Sequence, residues 1–145
     1  MSGSRLLTRD WETSLVVKKS VSLIVTSPDS LALSIPNGSL SYHHPEMEYH
    51  PEISDCFADV NEGDCVRMEV AMDSIPRTVQ FFLNGERGKS FVSGLPSSVG
   101  IGFSVSGPGS SFRIDRITQL LCPTEIDEDM EKIKWDIEPT PWPYY

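Results

Sequence analysis

The sequence predicts an all-β chain, an antiparallel sandwich of two sheets, and three observations predict it. The first is composition. Ala occurs three times in 145 residues, against 11 Val, 10 Ile, 11 Leu and 20 Ser. Branched side chains fit a pleated, half-buried surface, and a helical chain would carry far more Ala. The second is period. Val66, Met68, Val70 and Met72 alternate with Arg67, Glu69 and Ala71, which puts one apolar face on a strand. The third is punctuation, because 10 Gly and 11 Pro fall mostly between short apolar stretches.

Taken in order, the elements are short. Trp11–Val17 and Val21–Thr26 read as strands separated by Lys18-Lys19. Leu31, Leu33 and Ile35 alternate, and Pro36-Asn37-Gly38 turns the chain toward Leu40 and Tyr42. After the Val66–Met72 strand, Asp73–Arg77 is a loop, and Val79, Phe81 and Leu83 alternate again. Asn84-Gly85 marks a tight hairpin turn, because both residues tolerate positive φ. Phe91-Val92 returns after it. Val99, Ile101, Phe103 and Val105 face one way, while Gly100, Gly102, Ser104 and Ser106 form a small-residue face. Gly107-Pro108-Gly109 turns the chain, and Phe112 and Ile114 open a last strand ending near Ile117. Eight or nine such strands make the sandwich, with Val70, Phe81, Leu83, Ile101 and Phe103 in its core.

Two stretches depart from this rhythm. Residues 43–64 hold seven acids, three His and no Lys or Arg, with Pro45 and Pro51 opposing regular structure. A sandwich places a functional loop in such a long, irregular connection. Residues 122–145 hold seven acids and two Lys, a net of −5 against −4 for residues 1–121. The domain boundary is therefore placed near Leu121: 1–121 as the sandwich, 122–145 as an acidic tail. Thr124 suits a helix cap, and Ile126, Met130, Ile133 and Ile137 lie on one helical face. A short C-terminal helix is expected there, followed by an extended Pro- and aromatic-rich end at 138–145.

Charge and composition exclude several roles. Twelve Lys plus Arg against 21 Asp plus Glu leave a net charge of −9, which opposes nucleic acid as a partner. No apolar run reaches the length of a membrane span, and MSGSRLLTRD lacks the apolar core of a signal peptide. Cys56, Cys65 and Cys122 are an odd set without metal spacing. Free thiols in a cytoplasmic or nuclear setting are expected, so Asn37-Gly38-Ser39 reads as a turn rather than a glycosylation site.

Between Glu62 and Gly85 the sequence resembles the SPRY (B30.2-like) family. Glu62-Gly63-Asp64-Cys65-Val66 matches the family's EGD-x-V strand. Met72 to Thr78 leads into Phe81-Phe82-Leu83-Asn84-Gly85, the family's F-F-x-N-G. Leu40-Ser41-Tyr42-His43 is similar to the segment that precedes the family's long loop, and Leu95-Pro96 continues the match. The resemblance covers residues 40–117; residues 11–35 match only in strand order, with Trp11-Glu12 standing for the family's Y-W-E. It implies a bent, concanavalin-like jelly roll. It also implies a non-catalytic module that binds a partner protein or peptide through loops, as in adaptors, scaffolds and ubiquitin-ligase substrate receptors. The alternative is a lectin-like carbohydrate-binding jelly roll; a divergent hydrolase is a distant third.

Candidate site residues follow from the loops. Tyr42, His43, His44, Tyr49 and His50 are expected to contact the partner, with Arg77 of the Ile75–Arg77 loop beside them. Seven carboxylates in residues 43–64 favour a partner that brings Lys or Arg. No metal is expected at His43, His44 and His50, since no HExxH or C-x-x-C spacing is present. No cofactor fingerprint occurs: there is no G-x-S-x-G, P-loop or dinucleotide motif. Glu69 and Asp73 share a strand parity but do not establish a glycosidase pair.

Overall fold

A computed structural model describes residues 2–7, 9–27, 29–43 and 52–135. They form twelve strands: β1 (Ser2–Leu7), β2 (Trp11–Lys18), β3 (Val21–Ser27), β4 (Asp29–Ile35), β5 (Ser39–His43), β6 (Glu52–Asp55), β7 (Cys65–Ala71), β8 (Thr78–Leu83), β9 (Glu86–Ser93), β10 (Val99–Val105), β11 (Ser111–Gln119) and β12 (Glu131–Lys134). The first sheet has the order β1-β10-β3-β4-β5-β6, the second β11-β2-β7-β8-β9-β12. Every pairing is antiparallel except β12 on β9, which is parallel.

The period-two stretches meet face to face. Val66, Met68 and Val70 of β7, with Val79 and Phe81 of β8, pack against Leu23, Leu33, Ile101 and Phe103 of the first sheet. Val70, Phe81, Ile101 and Phe103 are buried as expected, while Leu83 is half-buried at the margin of the core. Trp11 also sits at that margin.

The turns follow their residues. Asn84 and Gly85 take φ of 49° and 87°, the two-residue turn whose twist matches the strands it joins. The Asn84 side chain secures it, accepting from the Cys65 N–H at 2.9 Å and donating to Asp64 at 3.1 Å. At Gly38 the main chain comes so near that a Cβ would stand 2.4 Å from the Phe57 carbonyl oxygen. Cys56 and Phe57 both donate their N–H to the Gly38 carbonyl there.

Three strands escaped the sequence pattern. β1 and β12 are edge strands, and β6, four residues long, lies inside the stretch read as irregular. The expected C-terminal helix is a correction: among residues 122–135 there is none. The reason is geometric. β11 and β12 are opposite edges of the second sheet, five strand spacings or about 24 Å apart. Twelve steps from Gln119 to Glu131 would cover about 18 Å as helix but up to about 40 Å extended. The segment must therefore cross the sheet stretched out. At its far side β12 buries Ile133, and Trp135 follows it into the core. The Trp135 N–H donates to the Ser93 carbonyl at 2.9 Å, and its ring meets Tyr42 edge-on at 6.2 Å. The expected extended end at 138–145 lies outside the described residues.

Candidate partner-binding surface

The connections that carry the candidate residues leave one end of the sandwich. Ala71, Thr78 and Ser93 stand in register at the ends of β7, β8 and β9. Residues 94–98 join β9 to β10, whose first residues pair with Leu7 and Thr26. Thr26 pairs with Ser30, and Ser30 with His43. The 72–77 loop and the connection after His43 thus share an end.

Tyr42 does not belong to that surface. Its side chain shares the inner face of β5 with Leu40, is buried, and donates its hydroxyl to the Asp29 carboxylate. Period two sends Tyr42 inward once Leu40 is inward, so the expectation that Tyr42 contacts the partner is corrected. His43 closes β5 opposite Ser30. His44, Tyr49 and His50 lie outside the described residues, and with them the expectation about metal at the histidines. Arg77 is half-buried and acts as a clamp. Its guanidinium donates to the Leu95 carbonyl at 3.4 Å, and its own carbonyl accepts from Gly94 and Leu95 at 2.9 and 3.3 Å.

Beside this clamp the outer face of the second sheet holds a hollow of about 400 Å³. Its floor is the short side chains Ala71, Thr78 and Ser93 with the ring of Phe91; Pro76 forms one wall and Pro123 to Ile126 the other. Small residues in register across three strands leave the room, and the crossing segment roofs part of it. Ile75, next to the Pro76 wall, is 92 % exposed. Lys132 stands at the rim. No histidine or cysteine lines the hollow, and among the described residues no group of His, Cys, Asp and Glu could hold a metal ion.

A polar patch next to the hollow holds the crossing segment. Glu69 accepts the Thr124 N–H on Oε1 and the Thr124 hydroxyl on Oε2, both at 2.9 Å. Gln80 donates from Nε2 to the Thr124 carbonyl at 2.7 Å. Arg67 approaches Glu69 at 3.2 Å and lies over the Phe82 ring, 4.1 Å from its centre. Phe82, out of phase in the sequence, thus covers the outer face of the sheet. Two buried polar atoms here have no hydrogen-bond partner, Arg67 Nε and Gln80 Oε1. The sequence reading missed this patch. The available signal was a carboxylate and an amide, Glu69 and Gln80, in the middle of otherwise apolar strands.

No family model and no curated protein matches the chain. Solved structures do match. The SPRY domain of human HERC1 is similar at 15% identity with a TM-score of 0.52, over 84% of this chain and 85% of that one. Sheep galectin-11 is similar at 13% identity with a TM-score of 0.47, over 83% of this chain and 96% of that one. The resemblance read between residues 40 and 117 therefore holds at the level of the fold: this is a SPRY-like β-sandwich.

Proposed function

We propose that the chain is a non-catalytic protein-interaction module that takes an extended segment of a partner protein at the loop end of the sandwich, with the hollow beside Ile75 as its anchor point. The observation that carries this reading is Ile75, 92 % exposed next to an apolar-walled hollow. A large aliphatic side chain beside a concavity offers apolar area that a bound segment can remove from water. The SPRY-like fold supports the class of function, since modules of that family bind proteins and peptides. In this reading His43, His44, Tyr49 and His50 flank the partner from the β5–β6 connection. Arg77 serves by holding the 72–77 loop to residues 94–95 rather than by touching the partner. The partner brings Lys or Arg, complementing a net charge of −9.

The test is selection from a displayed random peptide library, run beside a glycan array. Selected peptides are expected to be basic with an apolar anchor, to lose about tenfold in affinity against Ile75→Asp, and to associate more slowly at high salt. A glycan hit with no peptide enrichment would overturn the reading. So would peptides whose affinity is unchanged by both Ile75→Asp and the double replacement Tyr49→Ala with His50→Ala.

A further inference from the structure

Residues 120–130 cross the second sheet from its β11 edge to its β12 edge, and Thr124 fastens them in mid-crossing. All three polar groups of Thr124 are engaged: N–H and hydroxyl on Glu69 at 2.9 Å, carbonyl on Gln80 at 2.7 Å. Much of the segment around it stands in solvent. Leu121 is 97 % exposed, and Glu125, Asp127, Glu128 and Asp129 are exposed as well. Among the described residues its other polar ties are the Leu120 N–H on the Asp10 carbonyl at 2.9 Å, where the crossing begins, and a 3.9 Å approach of Asp127 to Arg87. Thr124 is itself only half-buried.

We propose that Thr124 is a phosphorylation site for a serine/threonine kinase that reads acidic residues C-terminal to its acceptor, and that the phosphate unfastens residues 120–130 from the sheet. Two features of different kinds meet at this residue, and neither depends on the partner reading above. The first is the substrate strip. Thr124 is followed by Glu125-Ile126-Asp127-Glu128-Asp129, and its four carboxylates are exposed on an irregular, extendable stretch that a basic kinase cleft can hold. The second is the place of the hydroxyl, 2.9 Å from a carboxylate that is only 3 % exposed.

In the transfer, the Thr124 oxygen forms a bond to the γ-phosphorus of ATP. The bond from that phosphorus to the bridging oxygen of ADP breaks. ADP leaves, and the hydroxyl proton passes to the base of the kinase. The product has lost the donor that Glu69 accepted. It carries about −1.5 to −2 charges and three acceptor oxygens where a buried carboxylate needs a donor. Water screens little there, and Arg67 supplies one cation against both anions. Because the hydroxyl is bonded in the closed arrangement, the kinase acts on chains whose segment has opened locally, and the phosphate then blocks reclosure. Opening uncovers Glu69 and Gln80 and removes the Pro123–Ile126 wall of the hollow. β12 and Trp135 keep their own attachments to β9, Ser93 and Tyr42.

The experiment incubates the folded chain with MgATP and an acid-directed kinase, beside the free peptide of residues 119–131. Fragment mass spectrometry is expected to place phosphate on Thr124, and Thr124→Val to lose it. Amide exchange over residues 121–130 is expected to quicken by about tenfold or more on phosphorylation, with residues 131–135 unchanged. A kinase that fills the peptide but leaves Thr124 of the chain unmodified overturns the site. Unchanged exchange in the phosphorylated chain overturns the release. Thr124→Val exchanging as fast as the phosphorylated chain overturns the role of charge.

Discussion

The two sheets share one core and differ on the sides they turn away from it. On the first sheet, Ser104, Ser22 and Ser34 stand in one register row and Gly102, Ile24, Ala32 and Ser41 in the next. Most of these are half-exposed, and apart from Ile24 nothing bulky rises from them. On the second sheet the equivalent rows hold Glu12, Glu69 and Gln80, and Arg67 beside Phe82. Glu12, Glu69, Gln80 and Phe82 are buried. The difference does not come from the strands themselves. A carboxylate on the outer side of β7 is buried because a threonine 55 residues later is laid across it.

The comparison can be broken at several levels. The shared inner face should tolerate least: Phe81→Ala is expected to cost about 3–5 kcal/mol in urea unfolding, through lost burial and the cavity left behind. A loss under about 1 kcal/mol would mean that the sheets do not depend on a common core. Next comes the outer face of the second sheet. Glu69→Ala removes both acceptors of Thr124 and leaves Arg67 half-buried without its carboxylate. We expect a loss of about 2–3 kcal/mol, with faster amide exchange confined to residues 121–130.

The seam between the sheets gives a smaller, pH-dependent effect. Cys56 follows β6 of the first sheet, and its thiol faces the Ser90 carbonyl of β9 at 3.7 Å. Burial pushes this thiol above its ordinary range, against the lowering influence of the Ser90 and Lys89 backbone hydrogen bonds. The folded state therefore keeps the proton longer than the unfolded chain. That contribution is complete below the unfolded thiol value of about 8.5 and is lost as pH rises from there through the folded value. Wild type should thus fall faster than Cys56→Ala above that pH, by no more than about 1.4 kcal/mol per unit. Parallel curves would sink the claim. The smallest effect belongs to the first sheet's outer face, where Ser34→Ala should change stability by less than about 0.5 kcal/mol. A larger loss would reveal a covering element on that side too.

The same contrast explains what the sequence disclosed. On the first sheet, β3 alternates strictly between buried and half-exposed residues, and β10 begins the same way. Their period-two pattern was legible because one face meets water. In β8 the residues Thr78 to Phe82 are all buried. Val79 and Phe81 could still be placed, but Gln80 and Phe82 gave no sign of what covers them. The crossing segment hid its path for a related reason. Ile126, Met130 and Ile133 keep a helical spacing, yet Ile133 goes into the core in a strand while Ile126 lies at the hollow. Spacing within 15 residues carries no information about the width of the sheet to be crossed. Tyr42 was misplaced by a local cue, its neighbouring histidines, although the alternation from Leu40 already directed it inward.

The register also sets a timetable for synthesis. Ser2 pairs with Ser104, and Trp11 with Gln119. At about 5–20 residues per second, a ribosome needs roughly 5–20 s to make the chain between the two halves of each pair. Among the described residues β1 has its hydrogen-bonding neighbour in β10 alone, so it waits through that interval without it. β2 fares better, because β7 emerges earlier and takes one of its sides. A nascent chain halted once residue 98 has cleared the ribosome would hold β7, β8 and β9 as a meander while β1 and β3 still lacked β10. Such an intermediate would present open strand edges to any neighbouring chain on the same message.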